Sequence, residues 1–247
     1  MPIKKVVVSA AGQGTRMLEL SENMSKHLIT VKNRPFLAYV LDNIIKAGYQ
    51  QIMLVVGFRE DMIRDFLKTY ELPAGTSVEL INQFEVLGPR EKEYGTACPI
   101  KCVKNWVGSE SFISLCGDNF YTTEDLKAMN IDDGYTYVAG LKHDHPERFG
   151  VLIENGEFLE KIIEKPKENM GNLINTSLYK FTPEVFEKLP LIKKSPRGEY
   201  EITDVVSLLA KDGKVKIKKI NDYWMDFGKP EDVEKISKYL EEHNENN

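Results

Sequence analysis

Cysteine, histidine and tryptophan are scarce in this sequence, and no long apolar run occurs in it. The three cysteines, Cys98, Cys102 and Cys116, cannot all pair, and a chain of 247 residues is large enough to hold a core without cross-links. A disulfide scaffold is therefore not expected. Cys98 and Cys102 would share one face of a helix, where packing is the expected role rather than redox or metal chemistry. Only four histidines are present, and His143-x-His145 reads as loop surface rather than a zinc site. No segment is long and apolar enough to span a bilayer, and the apolar run near the N-terminus is too short and too β-branched for a secretory signal. The expected setting is the cytoplasm, with no membrane partner. A basic excess is also missing: the net charge of -5 argues against non-specific nucleic-acid binding. There is no internal repeat, no low-complexity linker and no convincing Ser-His-Asp or Cys-His set. With 42% hydrophobic and 29% charged residues, the composition is that of a globular protein with one core and appendages.

What the chain does have is concentrated near its start. Val6-Val7-Val8 reads as a strand buried on both faces, as in a parallel sheet covered by helices. Ser9-Ala10-Ala11-Gly12-Gln13-Gly14-Thr15-Arg16 follows directly. Small residues and glycines there let backbone amides approach a polyanion, and Arg16 and Lys26 would add charge. Two familiar phosphate fingerprints are excluded, because Met17 stands where a dinucleotide turn has its third glycine and no Gly-Lys-Ser/Thr follows. Further along, strands over 52–56 and 77–81 alternate with helical patterns over 35–47 and 60–68. This is the rhythm of a doubly wound parallel sheet, whose ligands sit beyond the carboxyl ends of the strands. Residues 87–93 are turn-rich and charged. A strand over 112–116 then delivers Gly117-Asp118, a hard oxygen ligand at a strand end. Strands over 135–141, 150–153 and 157–163 follow, the last two joined by an Asn155-Gly156 hairpin turn. A strand over 214–220, Asp226, a helix opened by Pro230 and a polar tail that frays from Glu241 complete the chain.

Gly12-Gln13-Gly14-Thr15-Arg16 with Lys26 resembles the signature of the sugar-phosphate nucleotidyltransferases, also called nucleoside-diphosphate-sugar pyrophosphorylases. The likeness extends through Gly95-Thr96-Ala97, Gly117-Asp118-Asn119, Arg148-Phe149-Gly150, Glu164-Lys165-Pro166, Asn175-Thr176-Ser177-Leu178-Tyr179 and residues 198–204 to Asp226, in the family's order. The sequence departs from the pattern in four places. Ser25 replaces a proline before the lysine, Leu18-Glu19-Leu20-Ser21 lacks a second proline, Ser177 stands in place of glycine, and residues 88–93 form an insertion close to the nucleotide.

The resemblance implies an α/β fold, a Rossmann-like doubly wound mixed sheet that is mostly parallel, with an antiparallel extension forming the sugar pocket. One domain is expected over 1–247, with a nucleotide-binding half at 1–134, a sugar-binding half at 135–229, and a C-terminal helix and tail at 230–247. The implied reaction moves a nucleotidyl group from a nucleoside triphosphate, dTTP or UTP, to a sugar 1-phosphate such as glucose 1-phosphate, and releases pyrophosphate. Asp118 and Asp226 would bind Mg²⁺. Arg16, Lys26 and Lys165 would act on the phosphates. Ala11, Gly12, Gly14, Thr15, Gln83, Gly95 and Thr96 would hold the nucleotide, and Gly150, Glu164, Lys165, Asn175 and Trp224 the sugar phosphate. A cytidylyltransferase acting on choline phosphate or another alcohol phosphate, and a nucleotide-sugar-binding protein without catalysis, are the alternatives. Self-assembly into a homo-oligomer is left open. Residues 88–93 are expected to be poorly ordered without ligand and to close over the triphosphate or a neighbouring subunit.

Overall fold

The computed structural model describes residues 2–220 and 223–243, with the side chains of Thr15 and Leu18 outside that description. Strand β1 (Lys5–Ala10) opens the chain and is followed by two 3-10 turns, Thr15–Ser21 and Lys26–Leu28, and by a small ribbon, β2 (Thr30–Val31) with β3 (Arg34–Pro35). Then come α1 (Phe36–Lys46), β4 (Gln51–Val56), α2 (Glu60–Thr69), β5 (Ser77–Asn82), α3 (Gln83–Leu87), α4 (Cys98–Cys102) and α5 (Lys104–Val107). The middle contains β6 (Phe112–Cys116), β7 (Asn119–Tyr121), α6 (Thr123–Ala128), β8 (Thr136–Lys142), β9 (Gly150–Asn155), β10 (Phe158–Glu164) and β11 (Leu173–Phe181). The chain continues through α7 (Val185–Lys188), α8 (Ile202–Lys211), β12 (Val215–Lys219), β13 (Trp224–Asp226) and α9 (Glu231–Glu242).

Nine strands form one sheet in the order β5-β4-β1-β6-β11-β8-β12-β10-β9. The apolar run that opens the chain sits at its centre, Val6, Val7 and Val8 each wholly buried, as a strand covered on both faces requires. One core packs α1 and α9 on one face, with Phe36 stacked on Phe227. A second core packs α4, α7 and α8 on the other. The first four strands, β5, β4, β1 and β6, are parallel throughout.

Beyond β6 the arrangement departs from a flat extension. Strand β11 runs antiparallel to β6 and β8, but β12 runs parallel to β8. Neighbouring pairs along the sheet thus divide four parallel and four antiparallel, and the expected parallel majority holds only in the first half. The extension also curls back on itself: Ile174 of β11 pairs with Val151 of β9, so β11, β8, β12, β10 and β9 close into a five-stranded ring. Closure is possible because β11 changes register between Asn175 and Tyr179, and Ser177 within that stretch takes φ 61. An irregularity of this kind bends a strand and lets its two halves face different neighbours.

At the end of β5 the Asn82 side chain accepts hydrogen bonds from the amides of Phe84 and Glu85 and caps α3. One expectation needs correction: α9 runs past Glu241 to Glu242, with His243 stacked on Tyr239, and the rest of the expected tail lies outside the described residues.

Candidate active site

Five main-chain features meet at the carboxyl ends of β1 and β6. Gly14 has φ 68, and a Cβ there would lie 2.8 Å from Lys26 Cβ, so only glycine satisfies both the left-handed backbone and the close approach. The Gly14 carbonyl accepts from the amide of Met17 and from the hydroxyl of Ser21, both at 2.8 Å. Gly117 follows β6 and donates its amide to Ser9 O at 2.9 Å, which docks the Asp118 turn on the end of β1. A separate two-stranded ribbon brings in the second carboxylate, pairing Asp226 of β13 with Asn119 of β7. The Phe227 amide donates to Asp118 O at 2.7 Å.

Each carboxylate has a cation from the segment after the glycine turn. Lys26, buried, is ion-paired and hydrogen-bonded to Asp118, and Arg16 lies 3.7 Å from Asp226. Burial works against charge on both members of the first pair, but their mutual attraction prevails. The Lys26 ammonium is accordingly raised and the Asp118 carboxyl lowered from their ordinary values. Asp226 shifts the other way: burial and the neighbouring Asp118 charge push it up. Two carboxylates at adjacent strand ends, one of them destabilised by the other, suit a hard divalent cation. Mg²⁺ takes one or two carboxylates and completes its shell with water and phosphate oxygens. Among the described residues no cluster of three or more His, Cys, Asp or Glu could hold a metal.

A cleft of about 600 Å³ runs from Arg16, Asp118 and Asp226 into the five-stranded ring, a size suited to a small molecule. Gly150 and Glu164 face each other across the β9 and β10 pair. Lys165, next in the chain, holds φ 44, and its amide donates to Phe149 O at 2.9 Å. A left-handed lysine costs free energy, and such strain collects where a side chain must be aimed. Neither Lys165 nor Arg148 has an ion-pair partner among the described residues, and both line the cleft. Asn175 also lines it, but its amide is engaged, donating to Tyr179 Oη at 2.7 Å and accepting from the Ser177 amide at 2.9 Å. Trp224 forms part of the wall, edge-on to Phe149.

The expected nucleotide-side residues divide. Gly12 lies over Lys26, with Nζ 3.7 Å from where its Cβ would be, and Ala11 is buried beside it. The Thr15 side chain lies outside the described residues. Gln83 is 1% exposed, and neither Oε1 nor Nε2 meets a hydrogen-bond partner among the described residues. A buried amide with both ends unmatched is costly unless something else satisfies it. Gly95, at φ 132, presses on Tyr200, whose carbonyl oxygen would be 2.3 Å from an added Cβ. Thr96 is tied into the protein: its hydroxyl accepts from the Ile202 amide at 2.9 Å and donates to Glu201 at 3.2 Å.

The sequence gives no site role to Arg197 or Cys116, and Glu201 and Tyr179 fall inside matched stretches without a role of their own; all four line the cleft. Glu201 gathers Arg197 at 2.7 Å, Ser195 at 3.0 Å and Thr96. The Arg197 and Glu201 spacing of four was the available signal, but no helix spans it. Cys116 ends β6 with its thiol pushed up to about 12 by burial and by Asp118, so it is inert as a nucleophile. Cys98 and Cys102 are buried on α4 with thiols raised to about 12, in keeping with packing. His143 packs against Phe149. Residues 88–93 are held at several points, by Arg90 on Gln13 Oε1 at 2.7 Å and over the Tyr94 ring, and by an ion pair of Glu93 with Lys101.

The sequence profile described as nucleotidyl transferase matches residues 5–243. A UTP–glucose-1-phosphate uridylyltransferase, AglF, of Haloferax volcanii is 31% identical, with 96% of this chain and 97% of that protein covered. A bifunctional protein GlmU of Methanococcus aeolicus is 31% identical over 92% of this chain, which spans only 52% of it. The chain thus spans about half the length of the GlmU relatives it matches. A crystal structure of a UDP-glucose pyrophosphorylase complexed with UDP-glucose superposes with a TM-score of 0.81 at 20% identity, covering 98% of this chain and 99% of that one. At that identity the match speaks to the fold alone. Among the described residues no helix is long and apolar enough to cross a membrane.

Proposed function

The chain belongs to the nucleotidyl transferase family of enzymes, and from that premise we propose that it transfers a nucleotidyl group from UTP or dTTP to a sugar 1-phosphate, with glucose 1-phosphate favoured, and releases pyrophosphate. The observation that carries this reading is the pairing of two strand-end carboxylates with two cations of the glycine-turn segment, Asp118 with Lys26 and Asp226 with Arg16. Such a set is balanced at rest and can be redistributed when a polyphosphate and its counterion arrive. Support for the substrates comes from AglF, a relative matched over nearly its full length whose name gives UTP and glucose 1-phosphate.

Both reactants are anions, so the site must first offset their repulsion and then align them. An oxygen of the sugar phosphate attacks the α-phosphorus. The bond from that phosphorus to the bridging oxygen breaks, and its electron pair leaves with pyrophosphate. The attacking phosphate is already ionised near neutral pH, so no protein base is required. Arg16 and the amides of residues 11–15 hold the departing pyrophosphate, while Lys26 stands beside the α-phosphate. Lys165, without an ion-pair partner among the described residues and aimed by its strained backbone, binds the sugar phosphate. Glu164 accepts from sugar hydroxyls, with Gly150 opposite it, Asn175 fixing β11 and Trp224 walling the cleft. Gln83 supplies the unmatched amide for a base edge, and Gly95 and Thr96 fix the turn that follows. When bound at Asp118 and Asp226, Mg²⁺ would neutralise the triphosphate oxygens and the charge growing on the leaving group.

Pyrophosphate release, measured with four triphosphates against a panel of sugar and alcohol phosphates in Mg²⁺, tests the reading. Turnover is expected with UTP or dTTP and glucose 1-phosphate. Turnover only with CTP and an alcohol phosphate, or binding of nucleotide-sugar without release, would overturn it.

A further inference from the structure

No proline stiffens the stretch between the glycine turn and Lys26, yet Lys26 is held firmly against Asp118. Two serine hydroxyls tie this stretch down. Ser21 donates to Gly14 O at 2.8 Å, closing the 3-10 turn onto the glycine turn. Ser25, 2% exposed, lies 3.1 Å from Nδ1 of His27, which is 1% exposed. The backbone of Ser25 has φ -63 and ψ 133, within the window that a proline ring would impose. Its hydrogen bond to His27 reaches across Lys26, so the residues on either side of the lysine are joined to each other.

The His27 ring does a second thing. It lies against Gly117, its Cδ2 3.3 Å from where a Cβ on that glycine would be, and Gly117 precedes Asp118. One imidazole therefore touches the segment that carries the cation and the turn that carries the carboxylate. The ring also lies within the fields of the neighbouring Lys26 and Asp118 charges.

We propose that Ser25 and His27 are positioning residues for Lys26, a buried hydrogen bond doing there what a proline ring would do covalently. Neither touches substrate; both act through the placement of the Lys26 ammonium. The inference concerns the geometry of Lys26, and only its kinetic consequence rests on the proposed nucleotidyl transfer.

The test is a cycle of Ser25→Ala, Ser25→Pro, His27→Asn and the double variant Ser25→Pro/His27→Asn. Two readouts are taken: steady-state kinetics, and hydrogen exchange of backbone amides over residues 22–29 in the free protein. Loss of one buried hydrogen bond corresponds to roughly a ten-fold effect. Ser25→Ala should lower kcat about ten-fold with KM for both substrates within about two-fold, and should speed exchange over 22–29. Ser25→Pro should recover both, and His27→Asn should matter less in the proline background than alone. If Ser25→Pro behaves like Ser25→Ala, or exchange is unchanged in Ser25→Ala, the inference is wrong. A parent protein that releases no pyrophosphate would instead refute the functional reading, and the exchange cycle would still decide the positioning role.

Discussion

Asparagine substitution at Asp118 and at Asp226 should stop turnover alike but affect stability in opposite directions. Each change keeps the side-chain shape and removes a charge placed where the leaving group develops its own, so each should lower kcat by about 10² or more. Stability differs because the partners differ. Lys26 and Asp118 have side chains only 10% and 18% exposed, and removing one member of such a pair strands the other, at a cost of about 3–5 kcal/mol when burial is complete. Residual exposure and the nearby Asp226 charge reduce this to about 2–3 kcal/mol, a fall in Tm of roughly 4–12 °C for a chain of this size. Arg16 and Asp226 are 62% and 39% exposed and 3.7 Å apart, a contact worth under about 1 kcal/mol. Asp226 is moreover held above its ordinary pKa by burial and by Asp118, so its charge is disfavoured in the fold. Asp226→Asn should therefore match or slightly exceed the parent in Tm.

The pH dependence follows with a definite sign. Asp118 titrates below 3.8 in the folded state and Lys26 above 10.5. The stability their pairing contributes is present above 3.8 and lost as pH falls through the lowered Asp118 value. It is likewise present below 10.5 and lost as pH rises through the raised Lys26 value. Urea unfolding of parent and Asp118→Asn should differ by a constant amount between about pH 5 and 9, with the gap closing at either end. For Asp226 the native state holds its proton more tightly, so the parent loses stability relative to Asp226→Asn as pH climbs through 3.8. An Asp118→Asn protein as stable as the parent, or equal losses at both positions, would refute the reasoning.

Gln83→Met should raise Tm by about 2–4 °C, because it removes an unmatched buried amide worth about 1 kcal/mol. The same change should weaken triphosphate binding by about ten-fold in calorimetry; a lower Tm would mean that the amide is satisfied. Ser177→Gly should stabilise the fold by up to about 1 kcal/mol by relieving φ 61, read from urea unfolding, whereas a loss would place more weight on the serine hydroxyl than on the backbone. Trypsin should cut at Arg90 or Lys92 more slowly with triphosphate and Mg²⁺ than without; the contacts from Arg90 to Gln13 and Tyr94 join that segment to the glycine turn, and equal cutting would separate it from the nucleotide.

What could be read from the sequence was what the local chain determines. Val6-Val7-Val8 reads as a covered strand and the small residues and glycines after it as a turn, because each follows from side chains within a few residues. Asn82 with Glu85 three residues on was a capping signal for α3 that the strand pattern obscured. The ring could not be read, since it depends on Ile174 meeting Val151 and on β12 lying parallel to β8, pairings that no local pattern encodes. The contact of Thr96 with Glu201 and the seat of His27 on Gly117 are of the same kind. Asp118 and Asp226 could be matched by resemblance, but their division into a buried pair and an exposed one required the packing around Lys26.

Asp226 reaches Asp118 on the β7 and β13 ribbon, whose strands lie more than a hundred residues apart in the chain. Pairing such distant segments must meet the entropy of closing a long loop before any contact repays it. A chain emerging from the ribosome folds from its N-terminal side. It would display the glycine turn, Lys26 and Asp118 well before Trp224 to Asp226 existed to join them. A growing or truncated chain of that length could attract phosphate, but it would have one carboxylate of the two and no means of transfer. On the proposed assignment of Asp226, a chain could transfer nothing until synthesis had passed residue 226.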